Sequence, residues 1–335
     1  MFRKALSFDD VLLVPKYSGV HSRSDIDLTL EIMTDESMKL PVFAAPMDTI
    51  MNAEMARVLF EAGARGVMHR YCSIEEQAAV IKDVADQAEV FAAVGITGDY
   101  YDRAGALIDA GAVGICVDVA HGHHRSAIDA IRNLRRTYRN THIMAGNVAT
   151  LRAFDDLAEA GASSIRVGVG GGSICSTRIM TGHGVPTLQS VLDCAASESD
   201  ALLIADGGIK NTGDMVKALA AGADAVMVGR MLAGTTETPG QVIVNPGERP
   251  TKVYRGMASP EAQVAWRGRY SSNEGVSRTV PLRGSARAVL FEIDKGIRSG
   301  VSYSGAFSVR ELQAKAEFIE QSSAGARESS THIDN

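Results

Sequence analysis

The segment VGVGGGSICSTRIMTGHG, residues 167–184, gathers the side chains best suited to chemistry. Its glycine run can turn backbone amides toward an anion, Ser173 adds a hydroxyl, and Cys175 stands two residues before Thr177 on the same loop. A thiol on a polar, accessible loop is a plausible nucleophile, because thiolate attack needs access and a polar setting. The same residues also suit a flexible turn carrying a small apolar cysteine, so the glycine run alone does not decide. A second stretch, IADGGIKNTGDMVKALAAGADAVMVGR, puts Asp206, Gly207 and Gly208 after one apolar run and Gly229 and Arg230 after the next. That arrangement resembles the phosphate site barrels build after their seventh and eighth strands, and Asp206 could accept hydrogen bonds from ribose hydroxyls. A tight turn would also use Asp-Gly-Gly.

Loops so far apart in sequence need a scaffold that brings them to one rim. Short apolar runs recur at 41–46, 66–69, 90–95, 113–119, 142–147, 164–169, 202–208 and 225–229. Between them lie amphipathic stretches such as NAEMARVLFEAGA and LRAFDDLAEAGA, with apolar residues at helical spacing and a glycine near the end. Strand and helix alternating in this way imply parallel strands, and eight such units close a (β/α)8 TIM barrel; an open doubly wound sheet is the rival. In a barrel the polar residues after the strands, among them Asp48, Thr49, Arg70, Asp118 and Asn147, share the rim on which active sites form. After the eighth run come a polar, Gly- and Arg-rich stretch (about 235–285), a helical segment near 308–319 and a polar tail. Long irregular segments in compact domains often serve as lids.

A barrel takes about 250 residues, so the 335 residues, 45% of them apolar, accommodate a single α/β barrel domain spanning 1–335. Within it, a mobile lid is expected at about 255–285 and a C-terminal tail at about 320–335. The net charge of −6 provides no basic footprint for nucleic acid. No run reaches membrane-span length, and the first residues carry acids where a signal peptide needs an apolar core, so a cytoplasmic location is expected. Cys72, Cys116, Cys175 and Cys194 form no CxxC pair, which argues against a structural zinc site or a disulfide framework.

Taken together, SFDDVLLVPKYS, AAPMDT (44–49), DVAHGH (118–123), AGNVAT (145–150), GGGSICSTR (170–178), IADGG (204–208), YRGMAS (254–259), Glu274 with Gly275, and IRSGVSYSGA (297–306) resemble the IMP dehydrogenase/GMP reductase family over almost the whole chain. The resemblance implies that Cys175 adds to C2 of a purine monophosphate, GMP or IMP, giving a covalent intermediate. Ser173, Gly208, Gly229 and Tyr254 would hold the phosphate, Asp206 the ribose, and Met257, Ala258 and Gly275 the base, with Gly207, Arg230 and Gly256 also in the substrate site. Asp48, Thr49, Arg70, Asp118 and Asn147 would lie toward the dinucleotide, NADPH or NAD. A potassium ion would take the carbonyls of Gly170, Gly172 and Cys175, with Glu328, Ser329 and Ser330 from an adjacent subunit, and the family's habit is a homotetramer.

The two reactions of the family differ in the fate of the adduct. In a reductase, Thr177 with Glu274 would deliver a proton to the leaving amine of GMP, and a hydride then gives IMP. In a dehydrogenase, hydride leaves IMP and water then releases XMP. The absence of a regulatory (CBS) domain after the second helix, the short stretch from Met257 to Glu274, and Arg70 as a partner for the 2′-phosphate of NADPH favour the reductase. His121, the pair Arg269 and Tyr270, and the tail AGARES look like the dehydrogenase. Gly-Gly-Gly-Ser replaces the family's Gly-Pro-Gly-Ser, Ser176 precedes Thr177, Arg230 stands where Ser or Gly is common, and Ser271 and Asn273 fall where reductases tend to carry Arg and Ser. These departures touch base and phosphate recognition. A non-catalytic purine nucleotide sensor is a further reading, but a sensor has no need of Cys175, Thr177 and Glu274.

Overall fold

All eight expected strands form. The computed structural model, which describes residues 2–33 and 36–329, contains a closed barrel of parallel strands. In order these are Val42–Ala44, Arg65–Met68, Val90–Val94, Gly114–Asp118, His142–Val148, Ser164–Val167, Leu202–Asp206 and Ala225–Val228. The eighth returns to the first with Val226 opposite Val42, which closes the cylinder and excludes the open sheet. Most of their residues are buried, as expected of parallel strands covered on both faces, and so they read as near-continuous apolar runs.

The helices begin where the sequence provides caps. Asn52, Ser73, Thr150, Asn211 and Ser285 each accept a backbone N–H of the following turn, and Ser73 with Glu76 completes a capping box. Their apolar stripes, including Leu59, Ile81, Leu107, Leu134, Leu157, Leu219 and Ile297, are buried against the barrel. Burial of each such side chain contributes about 2 kcal/mol, and truncating one to alanine costs about 2–5 kcal/mol once the cavity is included. The long helix Ala286–Tyr303 packs beside the helices Ala53–Glu61 and Thr212–Ala220 and completes the outer ring.

A second cluster fills the barrel itself. Phe43 and Phe91 meet edge to face at 5.5 Å, with Val67, Met144, Ile204 and Met227 around them. The antiparallel pair Leu30–Met33 and Glu36–Met38 supplies Ile32 and Met38 to this cluster, and the Ile32 carbonyl accepts from His142 Nδ1 at 3.2 Å. His142 opens the fifth strand, so this pair covers the end of the barrel opposite the rim that follows the strands.

Two expectations change. The stretch after the eighth strand contains a regular hairpin, Thr251–Arg255 against Ser277–Pro281, and the helix Pro260–Arg267 lies between its strands. The helical segment near 308–319 ends at Lys315, because Ala316 turns extended and Phe318–Glu320 pairs with Val11–Leu13. The tail then forms a short helix, Ser323–Glu328. Among the described residues, no helix is long and apolar enough to cross a membrane.

Candidate active site

The loop after the sixth strand is glycine-rich because backbone must pass against backbone. A Cβ at Gly168, with φ +149°, would lie 1.9 Å from the Asp206 carbonyl oxygen, and one at Gly207, with φ +91°, would lie 3.0 Å from the Gly172 amide nitrogen. The two glycine loops of the sequence therefore interlock, and any side chain at these points would separate them.

Beyond the glycines the loop is fastened to the lid. The Ser176 N–H donates to the Glu274 carbonyl at 2.9 Å, the Val276 N–H to the Ile174 carbonyl at 3.0 Å, and Cys175 bridges antiparallel to Gly275. This places Cys175 Sγ 3.1 Å from Thr177 Oγ1, whose hydroxyl donates to Glu274 Oε2 at 2.9 Å. Thiol, hydroxyl and carboxylate thus form a continuous line from the cleft into the lid, the geometry a proton relay requires.

At the other end of the cleft, donors gather without acceptors. The amides of Ser173, Gly208, Gly229 and Arg230 donate to no group among the described residues. Ser173 Oγ lies 3.5 Å from the Tyr254 hydroxyl, and a Cβ at Gly229 would approach that hydroxyl to 3.0 Å. Burial raises the Tyr254 pKa, which keeps the phenol protonated and able to donate. Arg230 and Arg283 border the same region, while Lys210 is held by Asp9 at 2.6 Å. Convergent amides and cations of this kind suit a phosphate.

The polar floor between these ends rests on a residue the sequence reading passed over. Arg166, in the sixth strand and only 6% exposed, donates from Nη1 to Asp118 Oδ1 at 2.6 Å and from Nη2 to Asp206 Oδ2 at 3.0 Å. Burial opposes its charge, but the two carboxylates outweigh that and raise its pKa well above the ordinary value. Asn147 Nδ2 adds a bond to Asp206 Oδ2 at 2.8 Å and another to the Gly168 carbonyl at 2.9 Å. The one available signal was an arginine inside an otherwise apolar strand, SIRVGV.

Arg70, Tyr71, Asp118 and Val119 line the remaining flank. Arg70 Nη2 donates to the Asp118 carbonyl at 3.3 Å, and Arg70 Nε and Asn147 Oδ1 are buried without a partner. Tyr71 stacks on Trp266 of the lid helix, with ring centroids 4.3 Å apart. Tyr71, Trp266, Lys210, Arg283 and Thr187 went unnoticed in the sequence.

The whole cleft encloses about 890 Å³, and among the described residues every site residue expected from sequence borders it except four. Asp48 and Thr49 lie behind its wall, where Asp48 pairs with Arg255 Nε at 2.9 Å and Thr49 Oγ1 accepts the Arg255 N–H at 3.3 Å. They fasten the lid hairpin to the first strand's loop. Glu328 and Ser329 lie at the end of the C-terminal helix and do not border the cleft either, and Ser330 falls outside the described residues.

Fold and rim together define a (β/α)8-barrel enzyme with a cysteine between an anion cradle and a polar flank. A family model described as "IMP dehydrogenase / GMP reductase domain" matches residues 5–332, and the chain belongs to that family. It is accordingly an oxidoreductase of purine nucleotides, in a family that uses NAD(P)(H). An inosine-5′-monophosphate dehydrogenase of Nitrosopumilus maritimus is 33% identical, covering 99% of this chain and 98% of that protein. A GMP reductase of Leishmania major is 31% identical, covering 98% and 97%. The first alignment runs over 470 positions against the 335 residues here, so that relative carries sequence with no counterpart in this chain. A crystal structure of a cysteine-to-alanine variant of GMP reductase from Trypanosoma brucei, in complex with guanosine 5′-monophosphate, superposes with a TM-score of 0.95 at 29% identity, covering 99% of this chain and 98% of that one.

Proposed function

We propose that the chain is a GMP reductase, converting GMP and NADPH to IMP, ammonia and NADP⁺ through a covalent bond between Cys175 and purine C2. The observation that carries this reading is the line from Cys175 Sγ through Thr177 Oγ1 to Glu274 Oε2, at 3.1 and 2.9 Å. The thiolate attacks C2, and Thr177, backed by Glu274, passes a proton to the 2-amino group, which leaves as ammonia. The dinucleotide supplies the hydride that replaces the amine at C2, after which the C–S bond breaks and Cys175 regains its electron pair. Splitting the displacement into two steps lowers a barrier that direct loss of the amine would have to cross at once.

The other residues bind and orient. Ser173, Gly208, Gly229, Arg230 and Tyr254 hold the phosphate, Asp206 the ribose, and Met257, Ala258 and Gly275 the base. The buried, unpartnered Arg70 Nε and Asn147 Oδ1 fit a polar dinucleotide on that flank, with Arg70 facing the 2′-phosphate and Asp118 the nicotinamide ribose. A potassium ion would be held by the carbonyls of Gly170, Gly172 and Cys175, completed by Glu328, Ser329 and Ser330 of a neighbouring copy in a cytoplasmic homotetramer.

A second reading, IMP dehydrogenase with NAD, is favoured by Arg269 and Tyr270, which stand exposed on the lid where they could activate water. Following nicotinamide absorbance separates the two. A fall with GMP and NADPH supports the reductase; a rise with IMP and NAD⁺, and silence with GMP, overturns it.

A further inference from the structure

The lid is organised around one buried side chain. Gln263, in the helix Pro260–Arg267, is only 1% exposed. Its Nε2 donates to the Ala258 carbonyl at 3.0 Å and the Ser272 carbonyl at 2.8 Å. Its Oε1 accepts from the Ser271 N–H at 3.0 Å and from Arg267 Nη2 at 2.7 Å. Both ends of the amide are therefore satisfied, and both are committed to main chain at opposite ends of the lid.

The segment gripped by Gln263 runs directly into the relay. One residue beyond Ser272, the Asn273 carbonyl accepts from Ser176 Oγ at 2.8 Å; at the next, Glu274 takes the Ser176 N–H on its carbonyl and the Thr177 hydroxyl on its carboxylate. The opposite end, Ala258, borders the cleft beside Met257, whose sulfur accepts the Asp48 N–H at 3.3 Å. Without the amide of Gln263 these two strands of main chain stay joined only further along, where the Gly256 N–H donates to the Val276 carbonyl at 3.1 Å, and the Ser272 carbonyl and Ser271 N–H would lose the partner that holds them.

We propose that Gln263 is a positioning residue that fixes Glu274 against Thr177, so that the proton donor is assembled only when the lid is folded over the base. This rests on the reductase reading for the step at which Glu274 acts. Gln263→Met retains the side chain's length while removing all of its hydrogen bonds. It should lower kcat by about 10-fold or more, a part of the roughly 10²–10⁴-fold that a lost acid–base group costs, with the KM for GMP within about threefold.

A double-mutant cycle isolates the route of action. In a Glu274→Gln background, adding Gln263→Met should change kcat by less than about twofold; a full, additive loss overturns the proposal. Hydrogen exchange across residues 271–276 should rise in the Gln263→Met protein, and unchanged exchange also overturns it. If the parent enzyme fails to turn over GMP, the reductase reading alone is lost, and the exchange measurement still decides the role of Gln263.

Discussion

Arg166 holds Asp118 and Asp206 on two sides of a single buried guanidinium, at 2.6 and 3.0 Å. One cation thereby fixes the position of both carboxylates, and both border the cleft. Arg166→Met should leave both acids unpaired and cost about 3–5 kcal/mol, the usual penalty for breaking a buried pair. Arg166→Lys should recover part of the stability and little of the activity, since one ammonium cannot span both carboxylates as a planar fork does. Melting temperatures and the KM values for both substrates check this; a stable, fully active lysine variant would show that the planar fork is dispensable.

Cys175→Ala should abolish turnover while changing GMP affinity by less than about threefold, because the cradle of amides lies elsewhere in the cleft. Calorimetric binding alongside the absorbance assay makes the distinction. Retained turnover would refute the covalent route.

His142 makes stability pH-dependent. Its Nδ1–H donates to the Ile32 carbonyl and its Nε2 accepts from Ser164 Oγ at 2.7 Å, so the ring is neutral in the fold. Burial lowers its pKa to about 4, helped by Arg135, although the Ile32 carbonyl opposes the shift. The unfolded chain therefore takes up this proton first as pH falls. The stabilisation is fully present above the ordinary histidine range near 6.5 and is lost as pH drops toward about 4. It amounts to an effect on the order of 3 kcal/mol. A His142→Gln protein should show a shallower decline in melting temperature over that window, and an identical slope would assign the dependence to other groups.

Trp266 is the chain's single tryptophan, and its partner Tyr71 borders the flank proposed for the dinucleotide. Saturating NADPH should therefore shift or quench its emission. Tyr71→Leu should raise the dinucleotide KM by about threefold to tenfold, in line with the worth of an aromatic pair. Emission indifferent to NADPH in an otherwise active enzyme would place the dinucleotide away from this stack.

The barrel was legible because strands buried on both faces appear as apolar runs, and the eight runs lie within a few residues of the observed strands. The lid hairpin was not. Its first strand buries only Lys252 and Tyr254, one of them charged, and its partner Ser277–Pro281 buries no residue, so neither shows an apolar face. Cys175, Thr177 and Glu274 were readable as a group through family resemblance, although the last is 97 residues from Thr177 and only folding brings them together. Arg166 escaped notice because an arginine in isolation reads as surface, and its partners lie 48 and 40 residues away. Gln263 escaped for a related reason: what it does depends on main-chain groups, which carry no sequence signature.

The four thiols differ sharply in chemical standing. Burial pushes Cys116 and Cys194 up to about 12 and also raises Cys72, so these three stay protonated and poorly nucleophilic at neutral pH. Cys175 alone borders the cleft. A mild electrophile carried on a purine monophosphate would therefore find one thiol of the four facing it, and the protein's own packing, rather than the reagent's design, would supply the selectivity.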